Sequence, residues 1–150
     1  MQRQTLALAA FFLPAASLFG QGRVQYVGGT SPDFAAGEQG RIELTDDRYF
    51  AFYSKKDQVR IAYDHINLVE YGQQVSRRLA MAVVISPLLM LSKSRKHFLT
   101  VGYMGEDGRQ QALVFRVDKN NIRVMLVSLE ARTGLKVEYQ DEESRKAGKG

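Results

Sequence analysis

The sequence predicts a mainly β fold (β+α): a curled antiparallel sheet or barrel of about seven short strands, capped by one C-terminal helix. Three observations lead there. Short apolar runs between residues 22 and 117 alternate with polar residues and are separated by Gly, Pro and Asp turn signals. The chain carries seven Tyr and eight Phe with no Trp, a composition that favours strands. Residues 118–134 alone place apolar side chains at helical spacing and end on a glycine. With 150 residues, 45% hydrophobic and 25% charged, there is material for one domain around one core.

The elements follow in order. "GRVQYVGGT" reads as a first strand ended by a Gly-Gly turn, and "SPDFAAGEQG" as a loop broken by Pro32, Gly37 and Gly40. "RIELTDDRYFAFYS" reads as a hairpin turning at residues 45–48. Lys55, Lys56 and Asp57 make the next turn, after which Val59, Ile61 and Tyr63 share one face. Asp64 and His65 interrupt before "INLVEYGQQV" continues as a strand. "HFLTVGYM" and "RQQALVFRV" pair across "GEDG", whose Asp-Gly step marks a tight hairpin. In the closing helix, Ile122, Met125, Leu126 and Leu129 form the apolar stripe, Asp118 is the expected cap and Gly134 the stop. "LKVEY" is a short extended coda. Residues 140–150 are polar and glycine-containing and read as a disordered tail.

The first 20 residues have the layout of a secretory signal peptide: Arg3, an apolar run over residues 5–19, then small residues. Cleavage after Gly20 or after Ser17 fits this layout. The competing reading is an uncleaved anchor, although the run is short for a span. There is no cysteine, which excludes a lipoprotein, a disulfide framework, zinc-thiolate sites and a cysteine nucleophile. Export then leaves a domain over residues 21–139, with the tail behind it.

Charge is concentrated. The chain carries +5 overall, and between residues 71 and 105 there are five cations and no Asp or Glu. Arg77 and Arg78 precede, and Lys93, Arg95 and Lys96 follow, an apolar run over residues 79–91. One basic patch on an otherwise near-neutral chain argues against nucleic acid as a partner. At 1.5 Å per residue the run is about 20 Å long as a helix, too short to span, and Pro87 breaks its ladder. Two readings stand. In one, the run is buried in the domain, or against a protein partner or a second copy of the chain. In the other it meets a membrane, with Leu88, Leu89 and Met90 in the lipid interface and Arg77, Arg78, Lys93, Arg95 and Lys96 on anionic head groups.

No reactive constellation stands out. Only His65 and His97 occur, so no multi-histidine metal site is expected. His97 reads as a strand-edge residue and His65 as a turn residue. The acid pairs Asp46-Asp47 and Glu106-Asp107 are explained by turn chemistry. Gly28-Gly29 lacks the lysine and helix start of a phosphate loop, and no nucleophile elbow surrounds a serine. The expectation is no enzyme, no cofactor and no metal.

The order of elements resembles the pleckstrin-homology-like fold, and its GRAM-type relatives in particular. "GRIELTDDRYFAFYS" is similar to the GRAM pattern of glycine, strand, Thr-x-x turn and aromatic strand. "VRIAYDHINLVEY" is similar to the join in which residues 63–66 link two strands. "QALVFRV" with the Arg-bearing helix resembles the last strand and closing helix. The likeness covers residues 24–134. It implies a barrel-like sandwich that binds phospholipid head groups or peptides without catalysis. The signal peptide and the insert at residues 79–91 depart from that pattern. The chain is also similar to small exported bacterial proteins of no assigned function.

Overall fold

The computed structural model describes residues 21–75, 84–85 and 96–149. The expectations for residues 1–20, and for Arg77, Arg78, Leu88, Leu89, Met90, Lys93 and Arg95, lie outside the described residues.

The fold is mainly β. Strands β1 (Gln21–Gly29), β2 (Gln39–Glu43), β3 (Tyr49–Ser54) and β4 (Gln58–Ala62) form a meander. A 3-10 turn, Tyr63–His65, leads directly into β5 (Ile66–Gly72). The short β6 (Val84–Ile85), β7 (His97–Met104) and β8 (Gln110–Val117) follow. Helix α1 (Ile122–Thr133), the two-residue β9 (Glu138–Tyr139) and helix α2 (Glu142–Lys149) complete the chain. The strands form one sheet in the order β4-β3-β2-β1-β8-β7-β5-β9, with β6 on the edge of β1. All neighbours are antiparallel except β5 and β9.

The sheet curls because β1 serves two halves. Gln21 to Gln25 pair with β2, and Gln25 to Gly29 pair with β8, with the register shifting between Tyr26 and Gly28. A bulge at this point increases the local twist and turns the corner. No pairing joins β4 to β9, so of the two expected forms the curled sheet is the one adopted, not a closed barrel. The predicted Gly-Gly turn is not there: β1 runs through Gly29. A Cβ at Gly29 would collide with the Ala112 carbonyl and the Tyr26 hydroxyl, so glycine permits the close approach of β8.

The concave face holds the core. Val24, Tyr26, Ile42, Phe50, Phe52, Leu99, Val101, Leu113 and Phe115 are all buried there. Phe34, from the loop after β1, adds an edge-on contact to Phe52 at 5.1 Å between ring centres. Helix α1 covers the core with Ile122, Met125, Leu126 and Leu129, the stripe expected from the sequence. Gly134 ends it in the left-handed region, φ 72°, with its N–H donating to the Glu130 carbonyl.

The start of α1 differs from expectation. The helix begins at Ile122, and the Asp118 carboxylate accepts from the Asn120 N–H in the preceding turn rather than capping the helix. The tail also differs. Residues 142–149 form α2, a second helix beyond the single one predicted. Its local signals are sound. The Asp141 carboxylate accepts from the Ser144 N–H at 2.7 Å and the Ser144 hydroxyl at 2.8 Å, while Glu142 and Glu143 sit in the first turn and Lys146 and Lys149 in the last. Ser144 and Gly148 are buried, and the backbone of Gly148 lies close to Tyr139 and Leu126. A polar segment becomes ordered because it docks.

Candidate functional site

The two faces of the β1-β8-β7 region have different chemistry. Along β1, Val24 and Tyr26 point into the core, so Arg23 and Gln25 point outward. On β8, Phe115 and Val117 point inward and Arg116 outward. Arg116 lies opposite Gln25 on one side and Phe98 on the other. Arg23 lies opposite Arg41. The outward face therefore carries a basic end. Farther along, Val27, Phe98, Ala112 and Val114 form a second buried apolar cluster, with Leu68 and Val75 against it. The middle of the apolar run meets the same region: Val84 and Ile85 pair with Gly29 and Gly28.

At the basic end lies a cleft of about 550 Å³. Arg23, Lys96, Arg116 and Lys119 line it together with Asp118 and Glu143, and Gln25 and Gln39 add neutral amides. Arg23, Arg116 and Lys119 are exposed and form no salt bridge among the described residues. Lys96 is the one member of the predicted membrane-contact set that is described. Its side chain is buried at the cleft, 9% exposed, rather than displayed on an open surface.

His97 also lines this cleft, and it is no strand-edge residue: it opens β7, is buried and stacks on Tyr71. The Tyr71 hydroxyl lies 2.8 Å from His97 Nδ1. Burial pushes the Tyr71 phenol up to about 12, so it keeps its proton. Burial, with Lys119 nearby, holds the His97 imidazole below its usual value. The pair is thus a hydrogen bond between two neutral groups, which fixes the orientation of the His97 ring. His65 lies exposed in the 3-10 turn.

A second cleft, of about 730 Å³, shares Glu143 with the first and is acidic. Its carboxylates are committed to local structure. Glu70 accepts from Gln140, Glu143 from the Gln73 amide at 3.0 Å, and Asp141 from Ser144 and the Gln73 N–H. Burial raises the Asp141 carboxyl, but the Ser144 and Gln73 hydrogen bonds outweigh it and leave the group below its usual value. This cleft is the seam along which the C-terminal segment docks.

Sequence reasoning placed Lys96 in the candidate site but missed Arg23, Arg116 and Lys119. Alternation along each strand signals that Arg23 and Arg116 point outward. Nothing in the sequence says that β1 and β8 are neighbours. Among the described residues no helix is long and apolar enough to cross a membrane, and no cluster of His, Asp or Glu is arranged to hold a metal ion. No family model matches the chain, and no curated protein matches it.

Proposed function

We propose that this chain is a non-catalytic binding module that works after export and meets an anionic surface with the outward face of its sheet. The observation that carries this reading is the gathering of Arg23, Lys96, Arg116 and Lys119 at one cleft beside an apolar cluster. In the sequence, Lys93 and Arg95 shortly precede Lys96. Cations next to apolar side chains suit the head-group layer of an anionic membrane. The strand order, with β4 handed to β5 through a short turn and a helix over the core, supports a pleckstrin-homology-like scaffold.

Liposome flotation tests the reading. The exported protein should float with vesicles rich in phosphatidylglycerol at low salt. A Lys93/Arg95/Lys96→Glu variant should not, since each cation near a charged leaflet contributes about 1 kcal/mol. No flotation of the wild-type protein overturns it.

A second reading is a protein-interaction or homodimerising module with the apolar segment buried. The pairing of Val84 and Ile85 with β1 favours it, because it draws the middle of that segment onto the sheet. A dimer that persists with and without detergent in size-exclusion chromatography would select this second reading.

A further inference from the structure

We propose that the cleft between the start of β1, the start of β7 and the end of β8 is a binding site for a phosphate monoester, and that Arg23 and Arg116 are its principal contacts. This deepens the anionic-surface reading and rests on it only for the sign of the ligand's charge.

Three features select a phosphate monoester over a generic anion. The first is net charge. Among the described residues, four cations, Arg23, Lys96, Arg116 and Lys119, stand with two carboxylates, Asp118 and Glu143, and give their part of the lining two net positive charges. A monoester dianion matches that balance, whereas a carboxylate or a phosphodiester brings a single charge. The second is donor geometry. Arg116 and Arg23 stand on adjacent strands of one face, and guanidinium groups engage phosphate oxygens in pairs of hydrogen bonds. Strand pairing fixes their backbones, with Arg116 opposite Gln25 and Arg23 two residues before it, and both side chains line the cleft. The third is size. A volume of about 550 Å³ exceeds a lone phosphate and leaves room for an organic part, which Gln25 and Gln39 can meet with amide groups. His97, its ring held by the Tyr71 hydroxyl 2.8 Å from Nδ1, lines the same cleft and can report on its occupancy.

Helix α2 also lines the cleft, through Glu143. Its carboxylate accepts from Gln73 and repels an anion, so it sets an upper limit on affinity. This gives the proposal a substitution of opposite sign: Glu143→Gln keeps a group that bonds to Gln73 and removes the charge.

The test uses the full exported chain. His65 and His97 are the only histidines, so the His97 ring correlation in a proton–nitrogen spectrum is assigned by comparison with His65→Gln. Glycerol 3-phosphate is titrated as the soluble probe, and vesicles containing phosphatidic acid as the lipid probe. In the supporting result, at least one probe binds with a saturable shift of the His97 signal or a saturable vesicle fraction. Arg116→Gln and Arg23→Gln then weaken binding about tenfold or more, while Glu143→Gln tightens it. Arg60→Gln, an exposed charge away from the cleft, leaves it unchanged. The soluble arm alone marks a free metabolite, and the vesicle arm alone marks a lipid head group. The proposal is overturned if neither probe binds, or if the cleft variants lose no more than Arg60→Gln. Flotation on phosphatidylglycerol with cleft variants unaffected keeps the anionic-surface reading and removes this one. Glycerol 3-phosphate binding without any flotation does the reverse.

Discussion

The inner and outer faces of the sheet are built from the same strands but solve different problems. The inner face is a single large cluster in which Tyr26, Phe50, Phe52 and Phe115 touch one another and α1 closes the top. The outer face is divided. Val27, Phe98, Ala112 and Val114 form a small apolar cluster at one end, while Arg23, Arg116 and Lys96 make the basic cleft at the other. The contrast teaches where function can reside. A face fully committed to burial has no freedom to change, whereas a face split between apolar and cationic groups has chemistry left for a partner.

The comparison breaks first at the largest side chains. Phe115→Ala on the inner face should cost about 3–5 kcal/mol, because it removes a ring held among three others and leaves a cavity. Phe98→Ala on the outer face should cost less, about 1.5–3 kcal/mol, since its cluster is small. Urea unfolding of the two variants measures both. Equal losses would mean that the outer cluster is packed as tightly as the core.

A smaller effect is expected where α2 joins the two clefts. Asp141→Ala removes the acceptor for the Ser144 N–H and hydroxyl and should cost about 1 kcal/mol. Proteolysis would then begin in residues 142–149 while the sheet stays intact. A variant with unchanged protease resistance would show that docking against Tyr139 and Leu126, not the cap, holds α2.

The smallest effect is a pH dependence. His97 has its pKa lowered by burial and by Lys119, against opposing influence from Glu143 and Asp141. The unfolded chain therefore takes up a proton at this residue before the folded protein does. The stability this group contributes is complete above the ordinary imidazole value of 6.5 and declines as pH falls below it. The Tm should fall between pH 7.5 and 5.5 by more in the wild type than in His97→Gln, whose amide can still hydrogen-bond to Tyr71. Parallel Tm profiles for the two proteins would show that His97 titrates normally.

Much of the fold is written locally. Alternation in "RIELTDDRYFAFYS", the Asp-Gly turn at residues 107–108 and the stripe of Ile122, Met125, Leu126 and Leu129 each specify an element from neighbouring residues, because side-chain direction follows the backbone period. The same logic misjudged the tail. Residues 140–150 have no apolar stripe, and α2 forms because Asp141 caps it and Gly148 lets it approach Tyr139, a contact made across the sheet edge. It also misjudged Gly28-Gly29, where the missing side chains serve β8 rather than a turn.

The sequence by itself determined the strand-rich class, the closing helix, the lack of thiol chemistry and the charge of the segment around Lys96. Only the tertiary structure decided that Arg23 and Arg116 share a cleft with Lys96. Those residues are brought together by the antiparallel pairing of β1 with β8 and β8 with β7, in which Gln25 lies opposite Arg116, 91 residues away in the chain. Pairing over such distances is selected by the burial of the whole inner face, and no local pattern of charge encodes it.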